Sequence, residues 1–175
     1  VLKTSLSFGM ILKDATPLNL QWHKGKFIFI DTLSFEKFEE RPWIAYRQFC
    51  ETFLSPLLLM HYSKKPLQQI LLAYPDGIPL DITSSLLPFR SRFSLETYLH
   101  IHLHSRVSSK HAGEKQMPVK FSKQKLLNLV SGLESLINKL RPPKNKTAWS
   151  SYYNEASERE GYLDEKKKIV SEWIN

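Results

Sequence analysis

Three side chains near the start of the chain carry the groups that phosphoryl transfer requires. Asp14, Asn19 and Asp31 lie in LKDATPLNLQWHKGKFIFID, with an apolar strand pair between the second and the third. A loop carboxylate can orient an attacking hydroxyl. A side-chain amide and a second carboxylate can offer oxygens to the magnesium that bridges nucleotide phosphates. The same residue types also suit a turn, with Asp14 and Asn19 bonding nearby backbone amides and Asp31 closing a strand.

A second group is HIHLH, His100 to His104. On a helix His100 and His104 stand one turn apart and could share a metal ion, while His102 faces the core. Zinc would need a third ligand, and Glu96 is the local one. An amphipathic helix with histidines on its exposed face accounts for the same pattern. Arg47 sits among aromatics in PWIAYRQFCETF; once buried it would need a carboxylate, from Asp14, Asp31 or Glu51. Cys50 is the single cysteine, so no disulfide can form within the chain. It reads as a buried core thiol in a reducing, cytoplasmic setting.

The elements that must position these groups follow from the pattern. Asn19 to Trp22 and Phe27 to Asp31 read as two strands joined at Gly25. Pro42 suits the start of a helix on which Tyr46, Phe49, Cys50, Phe53, Leu57 and Met60 recur at helical spacing, and Pro56 should kink or split it. A short helix is expected over Pro66 to Tyr74, then a turn at YPDGIPLD. Ser94 and Ser122 suit helix N-caps, the second for a helix with Leu126, Val130, Leu133, Ile137 and Leu140 on one face. The tail from Trp149 brings aromatics and then an amphipathic helix with Leu163, Ile169, Val170 and Trp173. The expectation is a mainly α chain with one small β-hairpin, an α+β class. It divides into a helical module over 1–140, a linker over 141–148 and a lead-in helix over 149–175.

The 175 residues are 42% hydrophobic and 24% charged, which is globular composition for one domain or one and a fragment. No apolar run is long enough to span a bilayer, so no membrane partner is expected. The net charge is +8, and Lys110 to Lys146 holds nine Lys and Arg against two Glu. That window could meet nucleic acid or an acidic partner. Phe121 is the one aromatic among its lysines, too few for a base-stacking surface, so a solvated helix face with a basic linker is expected instead.

The Asp14, Asn19 and Asp31 spacing resembles the catalytic loop and metal-binding strand of the protein-kinase-like fold, including aminoglycoside phosphotransferases. The resemblance implies a truncated kinase C-lobe over about the first sixty residues, with Asp14 as base, Asn19 and Asp31 as metal ligands, and Mg-ATP as cofactor. Leu12 stands where that family carries His, and Thr32 follows Asp31 where protein kinases carry Phe-Gly.

Longer segments carry a second resemblance. GMILKDATPLNLQWHKGKFIFIDTLSFE, PWIAYRQFCETFLSPLLLMHY, DGIPLDITSSLLPFRSR and HIHLHSR occur in that order. They resemble the N-terminal region of bacterial class I S-adenosylmethionine-dependent methyltransferases, nodulation-protein-like members among them. That resemblance implies a fragment that supports the fold or orients an unnamed methyl acceptor, in cis with a methyltransferase domain that follows. The cofactor would be S-adenosylmethionine, held by that later domain through a glycine-rich turn. Among Gly9, Gly25, Gly77, Gly113, Gly132 and Gly161 no two are close enough to form such a turn, so no cofactor-binding residue is assigned here.

Overall fold

Helix α1 (Leu2–Ser7) stops at Gly9, whose φ of 72° is a left-handed conformation that side chains seldom adopt. The computed structural model describes residues 1–65, 67, 69–110, 120–141, 143 and 161–174. After Gly9 the chain extends as β1 (Met10–Leu12) and turns through a short 3-10 segment, Pro17–Asn19. It then forms the hairpin β2 (Leu20–His23) and β3 (Lys26–Phe29). Lys24 and Gly25 at the tip both have positive φ, 46° and 79°, as a tight two-residue hairpin turn requires.

A second 3-10 turn, Thr32–Ser34, leads into β4 (Phe35–Lys37), which returns antiparallel to β1 with Leu12 opposite Phe35 and Met10 opposite Lys37. The described residues therefore hold two two-stranded pairs, not one hairpin. Three-residue strands are too short to show a period, and Phe35, Glu36 and Lys37 fall in the acidic stretch FEKFEERP. The first hairpin strand is shifted by one residue from the expected span, and the second ends two residues earlier than expected. Asn19 lies in the turn before β2, and Asp31 caps the turn after β3. The mainly α, α+β class stands.

The helix expected after Pro42 runs as α2 (Tyr46–Phe49), a π-helical turn (Cys50–Leu54) and α3 (Ser55–Ser63). Pro56 has no N–H to continue the helical ladder, and the Ser55 N–H reaches back five residues to the Cys50 carbonyl. Pro56 thus widens this helix without splitting it. Helix α4 (Ile70–Ala73) is shorter than expected, and Pro66 lies outside the described residues. Then come α5 (Leu80–Leu86), a 3-10 turn (Phe89–Phe93), α6 (Leu95–Thr97), a second π-helical segment (Tyr98–Leu103) and α7 (His104–Lys110).

Ser94 caps α6 by accepting from the Thr97 N–H. Ser122 caps α8 (Lys123–Lys139) by accepting from Lys125. Leu126, Leu133 and Leu136 of α8 are buried with Leu6, Leu58 and Ile101 in one core. Contacts divide the chain into Val1–Pro143 and Lys144–Asn175. Of the expected linker, only Arg141 and Pro143 are described. In the second unit the described element is α9 (Tyr162–Ile174), with Leu163, Ile169, Val170 and Trp173 exposed. Trp149, Tyr152 and Tyr153 lie outside the described residues. No described helix is long and apolar enough to cross a membrane.

Candidate functional site

Asp31 and Asn19 meet at one hydroxyl. The Asp31 carboxylate accepts the Leu33 N–H at 2.9 Å and the Ser34 O–H at 2.5 Å, and the Asn19 side-chain amide donates to Ser34 Oγ at 2.9 Å. The Ser34 hydroxyl and then the Leu33 amide stabilise the charged carboxylate and hold Asp31 below the usual carboxylate range. Ser34 is buried, so the three residues tie the two ends of the hairpin together from inside.

Asp14 goes elsewhere. It accepts from Gln48 Nε2 at 2.6 Å, and the same Gln48 side chain accepts the Ala15 N–H at 2.7 Å. Thr52, one turn on, donates its hydroxyl to the Ala15 carbonyl (3.1 Å) and the Gln48 carbonyl (2.8 Å). The structure thus brings Asn19 and Asp31 together and fastens Asp14 to α2. Sequence reasoning missed Ser34, Gln48 and Thr52. Nothing local sets them apart, since Gln48 follows Arg47 and Thr52 follows Glu51.

The loop between Asp14 and Asn19 also contributes to an apolar cavity of about 340 Å³. Ala15 and Thr16 reach it from that loop. Leu20 and Phe29 at the hairpin root form one wall, Phe49 and Phe53 a second, and Val130 and Ile137 of α8 a third. Trp43 also faces it, its indole N–H donating to the Leu12 carbonyl at 2.6 Å. A polar shelf and an apolar hollow are therefore built from the same short stretch of chain.

The histidines are placed differently from expectation. His100 is buried, with Nδ1 2.6 Å from the Tyr46 hydroxyl, and the His104 ring stacks on the Tyr46 ring at 4.8 Å. His102 is buried as expected, between the hydroxyls of Ser84 (2.7 Å) and Ser91 (2.8 Å). Burial lowers the pKa of all three. Glu96, the local third ligand, instead pairs with Lys139 at 2.9 Å. Among the described residues no three His, Cys, Asp or Glu side chains group as a metal site. Arg47 is exposed and pairs with Glu51 at 2.9 Å, one turn along its own helix, so it reaches neither Asp14 nor Asp31. Cys50 is fully buried, and burial pushes its thiol up to about 12.

Fold and site define a mainly helical α+β module that carries an apolar cavity beside a hydrogen-bonded polar shelf. No protein-family model matches the chain, and no solved structure matches it. It is 27% identical over 177 residues to the nodulation protein NoeA of Rhizobium meliloti (strain 1021). The match covers 97% of this chain and 37% of that protein, so the chain spans little more than a third of its relative's length.

Proposed function

We propose that the chain is the acceptor-orienting part of a larger NoeA-like methyltransferase, with S-adenosylmethionine held by a further domain in cis. The observation that carries the reading is the shared origin of shelf and cavity: Asp14 and Asn19 face polar partners, while Ala15, Thr16 and Leu20 around them line the hollow. Such a site can seat an apolar part of an acceptor and orient its polar part. The test is kinetic, on the full-length protein. Gln48→Ala releases Asp14 and the Ala15 amide. It is expected to raise KM for the methyl acceptor roughly tenfold and to leave the affinity for S-adenosylmethionine unchanged. Unchanged KM, or lost cofactor affinity, counts against the reading. The 175-residue chain alone is expected not to bind S-adenosylmethionine, and micromolar binding by calorimetry would contradict this.

A second reading draws on the meeting of Asn19 and Asp31 at Ser34: a kinase-like site for Mg-ATP. It expects a chain extended upstream to bind Mg-ATP and Asp31→Ala to lose that binding. Equal behaviour of the two proteins removes it.

A further inference from the structure

Apolar surface continues beyond the cavity at the hairpin root. Leu20 and Phe29 are a cross-strand pair, and both line it. The next pair on the same face, two residues further along each strand, is Trp22 and Phe27. Their rings touch edge to face at 4.9 Å, yet Trp22 is 63% and Phe27 71% exposed. One face of the hairpin is therefore an apolar track of two rungs. The inner rung is in the cavity wall and the outer rung is open to water.

The cavity itself makes no polar demand on an occupant. The buried side-chain atoms that lack a partner among the described residues belong to Ser55, Thr83 and His104, and none of these lines the cavity. Of the polar residues at its edge, Thr16 accepts the Leu18 N–H through Oγ1, the Glu134 carboxylate pairs with Lys3, and Asn138 is exposed to water. At about 30 Å³ for each water-sized group, the volume holds on the order of ten methylenes. The outer rung, two residues along each strand, extends the track by roughly 7 Å. Past the outer rung come exposed Lys24 in the turn and exposed Lys26, the first residue of β3.

We propose that the cavity and the hairpin track together bind the aliphatic chain of an anionic amphiphile, its end in the cavity and its head near Lys24 and Lys26. The shape selects a long, flexible chain, because the apolar surface is narrow and continues outward. The lysines select the sign of the head group. This inference deepens the acceptor-holding reading and rests on its cavity, but it requires no methyl transfer. A failed acceptor test and a failed chain test are therefore distinct results.

The 175-residue chain is titrated by calorimetry with palmitate and hexanoate, and separately mixed with phosphatidylglycerol vesicles. Palmitate is expected to bind at micromolar concentration, with hexanoate at least about a hundredfold weaker, since ten methylenes of buried chain are lost. Val130→Trp fills the cavity and is expected to abolish palmitate binding while keeping the melting temperature. Should that variant not fold, Ile137→Phe replaces it with the same expectation. Trp22→Ser with Phe27→Ser removes the outer rung, leaves the cavity wall intact and is expected to weaken palmitate roughly tenfold. Binding of both palmitate and vesicles identifies the acyl chain of a lipid as a source, and palmitate alone identifies a free fatty acid. Binding of vesicles without palmitate, equal affinity for the two acids, or full binding by the filled-cavity variants overturns the proposal.

Discussion

Gln48 decides what Asp14 can do. A free carboxylate in a turn could take a proton from a substrate, whereas Asp14 is bonded by an amide that also fixes the backbone of Ala15. Thr52 reinforces the same joint. Thr52→Val is expected to cost about 1–2 kcal/mol, since the Ala15 carbonyl loses its side-chain donor in a buried setting. A denaturant midpoint unchanged from wild type would show that the joint carries no stability. Cys50 offers a second check. A thiol pushed up to about 12 by burial remains protonated at neutral pH and is shielded from reagents. Native protein is expected to leave Ellman's reagent untouched for minutes, and denatured protein to react fully; rapid native labelling would contradict the placement. At this scale the sequence shows the polar residues but not their pairings. Asp14 with Gln48 and Asn19 with Ser34 are 34 and 15 residues apart, and only the tertiary fold brings them together.

The elements were legible where a local rule governs them. Ser94 and Ser122 cap helices as hydroxyls at such positions do, and Gly25 makes the hairpin turn. The β1 and β4 pairing was not legible, because three residues cannot establish alternation. The two π-helical segments were also hidden, since a widened turn keeps apolar residues at nearly helical spacing. Tyr46, which leads into the first π segment, meets His100 of the second and His104 just after it. This junction has a pH dependence. Burial, then the charge of His104, lowers the pKa of His100. Burial, then Arg47, lowers that of His104, and burial, then Arg92 and Arg106, that of His102. A depressed folded pKa means that the unfolded chain binds more protons, so stability is present above the ordinary histidine range and lost as pH falls through it toward the folded values. The melting temperature is expected to drop between about pH 7 and 5, and a Tyr46→Phe variant to melt lower throughout. A flat profile would remove the coupling. Gly77 tests the packing near the first π segment. Its φ is +110°, and a methyl there would meet Glu51 Cβ at 2.9 Å and Thr52 Cγ2 at 3.0 Å. Gly77→Ala is expected to destabilise by about 1–3 kcal/mol, measured by thermal unfolding.

At the scale of the whole molecule, charge is the strongest signal in the composition, and its meaning depends on where the cations go. Of the net +8, the Lys110 to Lys146 window supplies nearly all the excess. Where that window is described, two of its charges are paired: Lys139 with Glu96, and Glu134 with Lys3. Lys123 and Lys125 stand exposed near the start of α8, while Leu126, Leu133 and Leu136 of the same helix are buried. That is an amphipathic helix with a solvated cationic face. Lys115, Lys144 and Lys146 lie outside the described residues. A cationic face of this kind attracts polyanions through counterion release without reading them, and that attraction collapses with salt. Fluorescence anisotropy with a short duplex is therefore expected to show weak binding at about 20 mM salt and none near physiological ionic strength, with no preference among sequences. Tight, sequence-dependent binding that persists at about 150 mM salt would overturn this. It would make the window a nucleic-acid interface and shift the functional proposal from the cavity beside Asp14 to α8.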